Sequence, residues 1–275
     1  PQLGLVLLHA SCRMLPISST ISAFLTLEPV VTATPFVDSH CHLDLLNLGA
    51  HGGDFEAMMS ATAQAGVSHM LCIGVDLDSF PQVQALAEQY ENVFASVGVH
   101  PLYKESREPQ SSELVERAAH PKVVAIGEAG LDYFYAKEER EWQQRYFVAH
   151  IQAARETGLP LVVRARGAKE DTLALLREHG AGQVRGVLHC FTEDLDMALQ
   201  AIELGFYISI SGIVTFRNAQ ALRDTVKQLP LERPWNDTDA PWTAPGPLRA
   251  KRHEPRHVAH VADVLDATPC GDAAD

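Results

Sequence analysis

From Phe36 onward, short apolar runs alternate with segments whose apolar residues recur at helical spacing. The first run starts at Phe36 and ends at His40-Cys41-His42. The others lie at residues 68–75, 93–99, 123–127, 161–163, 184–189, 206–211 and 233–239. The intervening segments predict helices over 54–65, from 79, and over 112–119, 138–157, 168–179, 194–204, 218–228 and 254–265. Local signals bound them: Gly66 closes the first helix, Ser79 caps the second with Pro81 in its first turn, and Gly158-Leu159-Pro160 stops the long one. Eight strand-helix pairs predict a (β/α)8 TIM barrel, and continuous apolar strands suit a parallel sheet covered on both faces. An open doubly wound sheet would need a Gly-rich phosphate turn after the first strand, and none is present.

In such a barrel, chemistry collects where the strands end. His40 and His42 follow the first strand, His100 the third, Glu128 the fourth, Arg164 and Arg166 the fifth, His189 the sixth, and Asp237 and Asp239 the eighth. His40 and His42, two residues apart on an extended segment, point the same way and can share one metal ion. Neutral imidazole suits Zn, Fe, Ni or Cu, whereas Mg or Mn want more carboxylate. A metal-dependent site is the leading reading.

Composition narrows the function. With 46% hydrophobic and 21% charged residues among 275, the chain is built to fold. Its net charge of −13 excludes a general basic surface for nucleic acid. Metals or a few arginines must then supply any positive charge that a phosphate ester needs. Cys12, Cys41, Cys72, Cys190 and Cys270 form no C-x-x-C pair, which suits reduced thiols in the cytoplasm. No apolar run reaches the length of a membrane span. Residues 1–35, apolar and rich in Ser and Thr, read as a disordered or artefactual extension, leaving one barrel over 36–275. No obligate protein partner is evident.

Asp38-Ser39-His40-Cys41-His42-Leu43-Asp44, Gly98-Val99-His100-Pro101, Gly127-Glu128-Ala129-Gly130-Leu131-Asp132-Tyr133, His189-Cys190-Phe191-Thr192 and Thr238-Asp239-Ala240-Pro241 occur in that order. They resemble the TatD family of metal-dependent deoxyribonucleases, within the amidohydrolase-like barrels. The resemblance implies two divalent ions (Mg, Mn or Zn), the first held by His40, His42, Glu128 and Asp239. Glu128 would bridge to a second, held by His189 and a histidine after the fifth strand. Asp239 would accept a proton from the attacking water, and the substrate would be DNA ends or single strands, cut from the 3′ side.

The departures matter equally. Arg164 stands where the family has the fifth-strand histidine, and a guanidinium has no lone pair for a metal. At ~4 Å and an effective dielectric near 20, a unit pair is worth about 4 kcal/mol, and a dication would be repelled by about twice that. One metal is therefore expected here rather than two. Either the site has lost catalysis, or Arg164 replaces the second cation and clamps a phosphate. A non-catalytic single-metal barrel that binds a phosphorylated ligand is the alternative reading, and a related amide or ester hydrolase is another. Arg166, His100 and Tyr133 are substrate-contact candidates, Tyr133 by stacking on a base. So is the cationic loop of Arg249, Lys251 and Arg252, each against the plainer reading of a packed or solvated side chain. Pro234 and Asn236 in the last strand, and the short tail after Asp266, predict an imperfect barrel seam.

Overall fold

The computed structural model describes residues 35–268, apart from 106, 138, 139 and 250. The expectation for the N-terminal extension lies outside the described residues, except at Pro35, as do Cys12 and Cys270. Strands β1 (Phe36–Cys41), β2 (Val67–Cys72), β3 (Val93–Val97), β4 (Val123–Asp132), β5 (Leu161–Arg166), β6 (Gly186–His189), β7 (Phe206–Ile210) and β8 (Pro234–Asn236) form one sheet in sequence order. Every neighbouring pair is parallel. The helices are α1 (Phe55–Gln64), α2 (Phe80–Gln89), α3 (Ser111–Ala118), α4 (Glu141–Thr157), α5 (Lys169–Gly180), α6 (Leu195–Glu203), α7 (Gln220–Val226) and α8 (Val258–Asp266), one after each strand. This is the TIM barrel that the alternation predicts.

Two hydrophobic cores hold it. The larger joins strands to helices, with Phe80, Phe147, Phe206, Ile126 and Leu161 fully buried. The smaller unites Ala125, Val162 and Val187 with Leu71, Tyr207 and Trp235, residues drawn from β2 and β4 to β8. Side chains alternate along a strand, so Val162 shares a face with Arg164, and Val187 with His189. The small apolar cluster is thus the floor beneath the polar groups. Gly98 and Gly127 let β3 and β4 approach there: a Cβ on Gly98 would lie 2.5 Å from the Gly127 backbone.

Two strands outrun the reading from sequence. β4 continues through Asp132 and β5 through Arg166, with Gly130 opposite Arg164 and Asp132 opposite Arg166. The two arginines are strand residues rather than loop residues. Ser79 does not cap α2 with its side chain; its hydroxyl turns back to the Asp76 carbonyl at 3.3 Å. Pro234 occupies the first position of a three-residue β8, where its missing N–H costs little.

The seam between β8 and β1 is closed by few backbone contacts. Cys41 and Ala240 form an isolated bridge, Asp239 N donates to His40 O at 2.9 Å, and His42 N donates to Ala240 O at 2.8 Å. Thr238 adds two bonds to Asp38, from its N–H at 3.0 Å and its hydroxyl at 2.6 Å. Among the described residues no helix is long and apolar enough to cross a membrane.

Candidate metal centre

The ends of four strands bring His40, His42, Glu128, His189 and Asp239 together, each at most 4% exposed. β1 delivers the two imidazoles on one side, with His40 Nε2 and His42 Nε2 3.2 Å apart. β4 delivers Glu128, whose Oε2 lies 3.4 Å from His40 Nε2. Beyond β8, Asp239 adopts a left-handed φ of 54°, and its Oδ1 lies 3.6 Å from His42 Nε2 and 3.9 Å from His40 Nε2. Ligand atoms about 2.1 Å from a common ion stand roughly 3.0–3.5 Å apart, so His40, His42 and Asp239 come within a few tenths of an ångström of that spacing, and Glu128 joins them through its approach to His40. His40, His42 and Asp239 form one compact metal-ligating group; His40, Glu128 and His189 form a second, and His189, Cys190 and Asp239 a third.

Unmet bonding capacity points the same way. Glu128 Oε1 and His189 Nε2 are buried without a hydrogen-bond partner and lie 3.7 Å apart. Burial of a lone pair with nothing to receive is costly, and a cation relieves it. The residues therefore fit a divalent metal ion, whose identity they leave open.

Charge states follow from the surroundings. Burial pushes His40 down to about 4, with His189 stacked on it at 3.3 Å adding to the effect and Glu128 opposing it. A neutral imidazole is the form that ligates. Burial would raise the Glu128 carboxyl, but the ring nitrogens of His100, His189 and His40 hold it well below the usual range. Asp239 is likewise lowered against its burial, by a bond from His42 and by His189 and His40. His189 Nδ1 meets Asp237 Oδ2 at 3.1 Å, and Ser209 also donates to that oxygen. Asp237 thus fixes the His189 tautomer so that Nε2 faces the pocket, and the shorter acid still reaches. Burial raises Asp38 to about 8, which the bonds from Thr238 moderate and Asp237 reinforces.

His100 and Arg164 also enter the pocket. His100 Nε2 lies 3.7 Å, and Arg164 Nη1 3.6 Å, from Glu128 Oε1. Burial pushes His100 down to about 4, against the pull of Glu128. Arg164 Nε donates to Asp132 Oδ2 at 3.2 Å. Asp132, fully buried, is a site residue that reading the chain missed; it lies 32 positions from Arg164, and only the pairing of β4 with β5 unites them.

Tyr133 is not a stacking platform. It is 6% exposed, donates from its hydroxyl to Asp171 Oδ2 at 2.7 Å, and carries Arg140 over its ring at 4.2 Å. Its neighbours Phe134 and Tyr135 are instead 58% and 62% exposed, and Asp132 Oδ1 holds both of their N–H groups. Arg166 lies over the Tyr135 ring at 5.6 Å. Trp242 meets the His42 ring edge-on at 4.6 Å and is also exposed. Exposed aromatics beside a strand end were the available signal, and the sequence does not separate the buried Tyr133 from the exposed Phe134 and Tyr135. Arg249, Lys251 and Arg252 are all exposed, Arg249 with its guanidinium over Phe216 at 4.3 Å.

The profile of the family described as TatD related DNase matches residues 37–269. An uncharacterized metal-dependent hydrolase of Escherichia coli K12, YcfH, is 44% identical over 230 residues, covering 83% of this chain and 86% of that protein. YabD of Bacillus subtilis, also an uncharacterized metal-dependent hydrolase, is 35% identical over 229 residues, with 83% and 89% covered. The crystal structure of YJJV, a TatD homolog from E. coli K12, superposes with a TM-score of 0.78 at 30% identity, covering 86% of this chain and 92% of that one. By the family profile across most of its described length and by these relatives, the chain belongs to the TatD family of metal-dependent hydrolases.

Proposed function

We propose that this protein hydrolyses phosphodiester bonds at DNA ends or in single strands, with Mg, Mn or Zn held by His40, His42, Glu128 and Asp239. The observation that supports the reading is the approach of His40, His42 and Asp239 to one another at the barrel mouth, with Glu128 beside His40. When bound, such an ion polarises a phosphoryl oxygen and activates water near neutral pH.

The chain's own groups do the rest. Asp239, kept ionised, accepts the proton of the attacking water. Glu128 supports the ligand set, and its buried Oε1 is approached by His100, His189 and Arg164 at 3.6 to 3.7 Å. A phosphate bound beside the metal position would meet these three groups. Arg166 and the cations of the 249–252 loop offer contacts to neighbouring phosphates, and Phe134, Tyr135 and Trp242 offer faces to unpaired bases. Cys41, Cys72 and Cys190 are free and buried, which suits a reducing, cytoplasmic setting.

The test is nucleotide release from a 3′-labelled single-stranded oligodeoxynucleotide by metal-stripped protein resupplied with Mg, Mn or Zn. Release that requires the metal is expected. Asp239→Asn, which keeps the size and removes the base, should lower turnover about 10²- to 10⁴-fold. No release with any of the three metals, or full activity in the variant, would contradict the reading.

A further inference from the structure

The ligand set for a second ion is incomplete, and the reason is specific. Arg164 and His189 are paired on adjacent strands, so both side chains face the pocket side by side. The guanidinium lies where it can meet Glu128 Oε1, the very oxygen that a bridging carboxylate would give to a second metal. It is not free to swing out. Its Nε is bonded to Asp132, which is wholly buried and is itself held by the N–H groups of Phe134 and Tyr135. Withdrawing the arginine would leave a buried carboxylate without its cation.

Charge bookkeeping gives the same answer. Glu128 and Asp239 face the metal position, and one divalent ion balances them. Arg164 balances Asp132. A second dication would stand beside a guanidinium with Glu128 and His189 as its remaining ligands. Cys190 does not complete that set: its Sγ lies 3.1 Å from Ser211 Oγ, and it groups with His189 and Asp239 rather than with Glu128.

We propose that this chain is a one-cation member of its family in which the Arg164 guanidinium takes the place of the second metal ion and binds the substrate phosphate. The inference rests on the phosphodiester reading for its substrate, but its test involves no turnover. A planar, permanently charged fork suits a tetrahedral oxyanion, and the neighbouring imidazoles of His100 and His189 can complete the cradle.

Metal-free protein is titrated calorimetrically with Mn²⁺ and, separately, with inorganic phosphate, for the unaltered chain, Arg164→His and Arg164→Lys. The unaltered chain and the lysine variant should each take up one Mn²⁺ per chain, and the histidine variant two. Phosphate should bind the unaltered metal-free chain at least about 10-fold more tightly than Arg164→His. Two ions in the unaltered chain or in Arg164→Lys would overturn the exclusion, as would one ion in a folded Arg164→His. Equal phosphate affinities would overturn the anchoring role. Loss of phosphodiester cleavage in every assay, with these stoichiometries intact, would count against the substrate reading alone.

Discussion

Asp237 shows how much one acid can do from behind the ligands. It accepts from His189 Nδ1 and from Ser209, so the imidazole can present only Nε2 to the pocket. Asp237→Asn keeps the shape but permits the opposite tautomer. Removing such an orienting carboxylate typically costs 10- to 100-fold, and a loss of about that size in turnover is expected, measured at saturating metal. An unchanged rate would mean that His189 is held by packing alone. Arg164 was legible in the sequence because the resemblance puts a histidine at that position and a guanidinium cannot do what an imidazole does; its place within β5, rather than after it, was not legible. Its partner Asp132 was not legible, because β4 runs on through Ala129 and Gly130, small residues that read as a loop. Tyr133 was misplaced for a related reason. When β4 extends to Asp132, the chain turns inward at residue 133, and the exposed faces pass to 134 and 135.

The strands and helices were legible in order because each apolar run is bounded by a turn or cap; their ends were less so. The weakest element is β8, three residues long and joined to β1 through Thr238 and Asp38. Thr238→Val removes a hydroxyl that donates to Asp38 and accepts from Ala240 N, leaving buried polar atoms unpaired. A loss of about 1–3 kcal/mol is expected by urea denaturation, with weaker metal binding because Asp239 is the next residue. No loss would show that the seam is held elsewhere. The junction of α4 with the segment after β3 carries a pH dependence of its own. His150 is fully buried, donates from Nδ1 to Tyr146 O at 2.7 Å and accepts at Nε2 from Val99 N at 2.9 Å. Burial lowers it to about 4, moderated by the bond to Tyr146, so the folded state keeps it neutral. Its contribution is fully present above the unfolded value near 6.5 and is lost as pH falls through 6.5 toward 4, by about 3 kcal/mol. Denaturation of metal-free protein at pH 7.5 and pH 4.5 should show this. His150→Gln, which keeps an acceptor for Val99, should reduce the fall by about that amount; an unchanged fall would assign it to other histidines.

For the molecule as a whole, the charge of −13 argues against a general basic surface for nucleic acid and leaves any such contact to local groups. The described aromatics that remain exposed, Tyr103, Phe134, Tyr135 and Trp242, all lie on segments that follow strands, at the end of the barrel that bears the metal ligands. The metal ligands, the pinned arginine and the aromatic faces therefore share one rim, although they arise more than 200 positions apart along the chain. The convergence of that rim on a single ion is the claim from which the chemistry follows. Anomalous diffraction from crystals soaked in Mn²⁺ tests it most directly. One peak is expected, within bonding distance of His40 Nε2, His42 Nε2, Glu128 and Asp239, with none beside Arg164. A peak elsewhere, or no peak at a concentration that supports hydrolysis, would contradict it.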